Sequence, residues 1–131
     1  MFPLYTKQFP ANAPDLAARL NESAKRIFDN AANPVTIRDR AYPELEEIRI
    51  TLDGAELRPN PPRPPPVKGK SAPALQVSEL YITGSDLLIG PAIANLRLDA
   101  RDVRLQQAAD AQGEIVLVLS SAADGQIEVS A

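Results

Sequence analysis

Two pairs of acids are the residues best placed for chemistry in this chain: Asp99 with Asp102, and Asp53 with Glu56. Paired carboxylates serve glycoside hydrolysis or hold calcium. The calcium-loop pattern D-x-[DN]-x-[DN]-G is absent, however. Charges alternating along the wet face of a strand give the same spacing. On that reading Arg49, Arg97, Arg101 and Arg104 pair across strands with these acids. Gly84-Ser85-Asp86 offers a hydroxyl with no base beside it, and no nucleophile elbow or phosphate-binding glycine loop occurs.

The chain has no histidine and no cysteine. Imidazole and thiolate ligands for zinc, copper or iron are therefore unavailable, and no metal or other cofactor is expected. Every dyad or triad that uses either residue is excluded as well. Chemistry would fall to carboxylates, Lys, Tyr or Ser alone. The expectation is a non-enzymatic protein, with a carboxylate-only hydrolase as a distant alternative.

Net charge is −3 over 131 residues, which argues against nucleic acid as a partner. Residues 71–131 hold three Arg against eight acids, whereas 58–70 hold Arg58, Arg63, Lys68 and Lys70 and no acid. The basic stretch includes Arg58-x-x-Pro61-x-x-Pro64, the form that SH3-type domains dock. A bent connection between two strands explains the same prolines.

No run approaches the ~20 apolar residues needed to cross a bilayer, so the chain is not expected to be transmembrane. The start, Met1-Phe2-Pro3-Leu4, lacks the basic and apolar regions of a secretory signal. The expected compartment is cytoplasmic as written, or the cell envelope if an export segment has been removed.

The elements that must position these residues follow from periodicity. Residues 1–13, with Pro3 and Pro10, read as an extended arm. Pro14 suits the first turn of a helix, with Asn12 near enough to cap it. Leu16, Leu20, Ala24, Ile27 and Ala31 recur at helical spacing and Phe28 widens the stripe, which predicts an amphipathic helix over 14–31. Its polar face mixes Arg19, Lys25 and Arg26 with Asp15, Glu22 and Asp29, so packing on a sheet suits it better than lying on a membrane.

Residues 34–45 are ambiguous between a short strand at Val35-Thr36-Ile37 and a helical turn from Pro43. From Ile48 the period is two, which predicts a strand over 48–58. Residues 59–73 read as a proline-rich surface loop. Residues 74–131 read as a β-meander, with turns at Gly84-Ser85, Gly90-Pro91 and Ala111-Gln112-Gly113. Ile115–Leu119 is apolar on both faces and reads as the central strand. Asp124-Gly125 reads as a hairpin.

One pattern repeats. The string h-x-h-x-x-h-x-h, with h apolar, occurs at Ile50–Leu57, Leu75–Ile82 and Leu98–Leu105. Each copy skips one residue at the same place, near 53–54, 78–79 and 101–102. An extra residue there keeps the apolar set on one face and bends the strand. The skip can also mark a crossing between two sheets at a sandwich corner. The fold class expected is α+β: one amphipathic N-terminal helix on a curved, bulged antiparallel meander.

The helix, with Ser78–Gly90 and Leu96–Leu105 after it, resembles the bacterial LmeA-like phospholipid-binding family and the wider tubular lipid-binding group. The resemblance covers about 48–105 plus the helix. It implies a long helix wrapped by a highly curved antiparallel sheet, with an apolar groove for acyl chains.

The leading expectation is binding of a lipid-like or other apolar ligand between helix and sheet. Its lining is expected from Leu16, Leu20, Ile27 and Phe28 facing Ile50, Leu52, Leu98 and Val103. The competing reading of these residues is a solid core, since apolar faces are usually packed. The alternative function is a structural or adaptor module acting through Arg58, Pro61 and Pro64, or a protein partner or second copy docked on an exposed strand edge.

Overall fold

A computed structural model describes residues 2–63 and 66–130. Its one helix, α1, runs over Ala13–Ile27. Asn12 caps it: the Asp15 N–H donates to Asn12 Oδ1 at 2.9 Å. The buried residues are Ala13, Leu16, Leu20, Ser23 and Ala24, while Asp15, Arg19, Glu22, Lys25 and Arg26 are exposed.

The helix stops four residues short of the expected 14–31. Phe28 is already extended, at φ −122° and ψ 138°. The reason is tertiary. Arg58 donates its backbone N–H to the Ile27 carbonyl at 2.9 Å and its Nε to the Lys25 carbonyl at 3.0 Å. A strand segment thus satisfies the last helical acceptors, and a cation lies at the negative end of the helix dipole.

The strands are β1 (Phe2–Pro3), β2 (Phe28–Asp29), β3 (Val35–Ala41), β4 (Glu44–Thr51), β5 (Glu56–Leu57), β6 (Val67–Ile89), β7 (Ala92–Asp110), β8 (Ile115–Ser121) and β9 (Asp124–Ser130). All belong to one open sheet, in the order β1-β8-β7-β6-β4-β3, so the two-sheet corner does not arise. Several labels are pieces of one longer strand. β2 and β3 follow β5 and β4, and β8 and β9 both follow β7.

Every pairing is antiparallel except those of β4 and β5 with β6, which are parallel. The sheet is therefore mixed rather than the antiparallel meander expected. A parallel pair needs a crossover, and residues 58–66 supply it.

Two lines of irregularity cross the sheet. Ile48, Leu80 and Ala100 pair in one row, and Leu45, Val77 and Val103 in the next. Between these rows each strand advances three residues instead of two, over 46–47, 78–79 and 101–102. Since β6 and β7 take the extra residue at one height, their mutual register is unchanged and the apolar rows stay on one face. Asp102 there has φ 49°. The break between β8 and β9 and a register shift at Arg38/Asp39 extend the line. The second line joins Leu52–Ala55 to Gly84–Leu87, with Gly54 at φ 68° and Asp86 at φ 55°.

The sequence repeat therefore aligned two of its three skips correctly. Sites 78–79 and 101–102 are neighbours, but 53–54 lies beside 85–86 on the other line. Residues 46–47 occupy its expected place, hidden in the sequence because only one apolar residue, Leu45, precedes the step.

Other expectations change too. The arm holds β1, and Leu4 is buried. Strand β6 begins at Val67, inside the expected loop, and includes Pro73. Its stretch before Gln76 has β7 on one side and no neighbour on the β4 side, so the missing proline N–H breaks no ladder there. Gly84-Ser85 is an irregularity within β6, not a turn, whereas Gly90-Pro91 does turn β6 into β7. β8 is not central, because only the two residues of β1 pair on its far side. Asp124-Gly125 makes no hairpin: Asp124 pairs with Arg101 and Gly125 with Ala100, so the chain continues along β7.

Candidate functional site

Directly paired residues send their side chains to the same face. One row links Val35, Ile50, Ile82, Leu98 and Ile127 across five neighbouring strands. Exposure rises along it. Val35 is 3% exposed, Ile50, Ile82 and Leu98 are half-buried, and Ile127 is 67% exposed. The core explains the gradient: Val35 is buried in it with Leu16 and Leu20 of the helix and Ala100 and Val103 of β7, Ile50 and Leu98 lie at its margin, and Ile127 lies outside it. Val129, beside Leu96, is also 67% exposed.

The expected lining residues separate into three settings. Leu16, Leu20 and Val103 are buried in the main core, with Ile50 and Leu98 packed at its margin. Leu52 is buried in a smaller cluster with Ala55 and Leu87, flanked by Phe28, Ala31, Ile50 and Ile82. Ile27 is half-buried and belongs to neither. Helix and sheet thus share one packed core at Leu16, Leu20 and Val103, and Leu52 is packed apart from it.

The larger hollows lie elsewhere. One of 460 Å³ is lined by Pro43, Pro73–Gln76, Arg104–Gln106 and Ser120–Ser121. Another of 360 Å³ is polar, with Tyr81, Arg97, Asp99, Arg101, Asp124 and Gln126 around it.

Expected polar chemistry is dispersed. Asp53 accepts the Ser85 N–H at 2.8 Å, holding the second irregular line together. Asp99 pairs with Arg97 of its own strand at 3.1 Å, and Glu47 with Arg49 of its own strand at 3.2 Å. Arg49 and Arg97 therefore pair along their own strands, Arg38 pairs across to Glu46, and Arg101 and Arg104 form no ion pair among the described residues. Glu56 is opposite Asp29, whose carboxylate binds Arg58 at 2.9 Å. No group of three acids is arranged to hold a metal ion among the described residues.

Two phenols are perturbed, both away from ionisation. Burial raises the Tyr42 pKa above 10.0, helped by Asp15 and Asp39, and its hydroxyl donates to the Pro10 carbonyl at 2.6 Å. The hydrogen bond to Glu79 raises the Tyr81 pKa, and burial adds to it. The Arg49 guanidinium lies over the Tyr81 ring, 4.7 Å from its centre. Neither phenol is set up as a base near neutral pH.

Of the proline motif, Arg58 is engaged by the helix end and by Asp29, Pro61 is exposed, and Pro64 lies outside the described residues. No helix is long and apolar enough to cross a membrane among the described residues.

Leu98 and Ile50, expected on the apolar face, lie in this row; Ile127, which joins it, and Val129 were not among the residues expected there. Their alternation with Gln126 and Glu128 was the available signal, and the misread hairpin at Asp124-Gly125 hid which strand they joined. No family model matches the chain, and no curated protein or solved structure matches it significantly.

Proposed function

We propose that this chain is a non-enzymatic carrier or sensor of a lipid-like apolar ligand, held along the uncovered half of its sheet face. The observation that carries the reading is the row Ile82–Leu98–Ile127. It prolongs the core beyond the helix into side chains left open to water. Exposed apolar patches rimmed by polar residues mark binding surfaces more often than scattered apolar residues do. Ile50 and Leu98, from the lining expected by sequence, sit at the boundary between packed and open, and Val129 and Leu96 widen the open part.

Chain arithmetic supports a curved sheet, as the tubular lipid-binding resemblance implies. β6 spans Val67 to Ile89, about 70 Å of contour if fully extended. β5 ends at Leu57, next to Glu56, which pairs with Leu88 near the far end of β6. The chain must return from there to Val67 in ten steps, reaching ~36 Å at most. A straight β6 cannot meet that limit, whereas a sheet bent at the two irregular lines can. Arg58, tied to the helix end, serves geometry on this reading.

Native mass spectrometry after gentle purification tests the proposal. A reproducible bound mass in the lipid range, lost in a Leu98→Glu, Ile127→Glu double variant, is expected. A clean apo spectrum that stays clean after incubation with oleate vesicles would overturn it.

A further inference from the structure

The strand edges of this sheet are treated very differently. On β3 the Asn21 side chain takes both polar groups of Val35: its Oδ1 accepts the N–H at 2.8 Å and its Nδ2 donates to the carbonyl at 3.2 Å. Register shifts at Arg38/Asp39 and Asp39/Ala41 disrupt the rest of that edge. The open stretch of β6, before Gln76, carries Lys68, Lys70 and Pro73, with Gly69 at φ 78°. The first half of β8 is covered: β1 pairs with Val116 and Leu117, and Ile115 exchanges backbone bonds with Leu4 and Thr6, while the later half, with Leu119 exposed, is not. Charges, proline, bulges and cover are the usual protections of an edge.

β9 has no proline, bulge or cover, and its charges are two acids, Asp124 and Glu128, with no Lys or Arg. Among the described residues it pairs with β7 alone, and all seven of its own are exposed. Its side chains also select a partner. Set β9 antiparallel to itself about Ile127, and Ile127 faces its own copy. Val129 then faces Gly125, Gln126 faces Glu128, and Asp124 faces Ser130. All seven residues pair and no like charges are opposed. Centring on Gln126 instead sets Asp124 against Glu128, and centring on Glu128 sets that acid against itself; like charges directly opposite are destabilising. Shifts by one residue turn the apolar faces to opposite sides.

We infer that β9 is a dimerisation edge: it pairs with β9 of a second copy about Ile127 and makes one continuous sheet across the two chains. The contact is self-complementary and so closes at two. It also joins the apolar rows, with Leu98 and Ile127 of one copy running into the partner's Ile127. The inference stands on backbone edges and charge register, independent of any ligand.

Because the chain has no cysteine, single thiols report the register. In the proposed pairing residue 127 is opposite itself at about 4.5–5.5 Å between Cα atoms, within disulfide range. Residue 129 is ~13 Å from its own copy, beyond that range.

Analytical ultracentrifugation of the unmodified chain should show twice the 14.1 kDa mass, reversible on dilution. Ile127→Cys should form a disulfide-linked dimer under mild oxidation, and Val129→Cys should not. Ile127→Lys, at an exposed position, should keep its circular dichroism spectrum and weaken association by roughly tenfold or more. A monomer at every attainable concentration, species larger than a dimer, or equal crosslinking of both thiol variants would overturn the inference.

Discussion

The two sides of the sheet begin from the same kind of row and end in opposite states. At β3, Val35 lies under the helix and its peptide group is bound by Asn21. At β9, Ile127 has water on its face, and its strand has no neighbour on the outer edge. The apolar side chains are alike, and the difference is that Val35 belongs to the core built with Leu16 and Leu20 of the helix whereas Ile127 lies outside it. Burial decides what an apolar residue contributes: the covered side chains add stability and the bare ones add little.

The largest effect separating the two sides should come from truncation. Leu16, fully buried on the inner face of the helix, should cost about 2–5 kcal/mol when changed to Ala. Ile127→Ala should stay within ~0.5–1 kcal/mol, because most of its surface is already wet. Urea denaturation of both variants, at a concentration where the chain is monomeric, checks this; equal losses would erase the distinction between sides.

Asn21→Ala comes next. It leaves the Val35 N–H and carbonyl without their partner, for an expected loss of about 1–3 kcal/mol. Faster hydrogen exchange at Val35, approaching that of β9 amides, should accompany it. No change in exchange there would mean that the helix protects the edge by cover alone.

A smaller effect concerns pH. Tyr42 has its pKa raised above 10.0 in the fold, so the folded state holds that proton more tightly than the unfolded chain. Its contribution is fully present below about pH 10 and is lost as pH rises toward the folded value. Thermal melts above pH 9 should show a fall that is shallower in Tyr42→Phe. An equal slope in the two proteins would remove Tyr42 as its source.

Much of this was readable in the residues. Asn12, Pro14 and the Leu16/Leu20 spacing mark the helix, and its early end was not readable because Arg58, distant in sequence, takes its carbonyls. The three-residue steps at 78–79 and 101–102 were readable because apolar residues flank them on both sides. The step at 46–47 was not, since a single leucine precedes it. Local turn chemistry misled at Gly84-Ser85 and Asp124-Gly125, where strand pairing overrode it. Leu98 was identified as part of the face, but whether it is covered depends on how far the helix reaches, which no periodicity states.

The proposal that the bare half of the face takes an apolar ligand is tested most directly by methyl NMR during titration with oleate. The account predicts progressive shifts at Ile82, Leu98 and Ile127, with Leu16, Leu20 and Val35 unmoved. Shifts centred on Leu16, Leu20 and Val35, or none anywhere at saturating oleate, would contradict it.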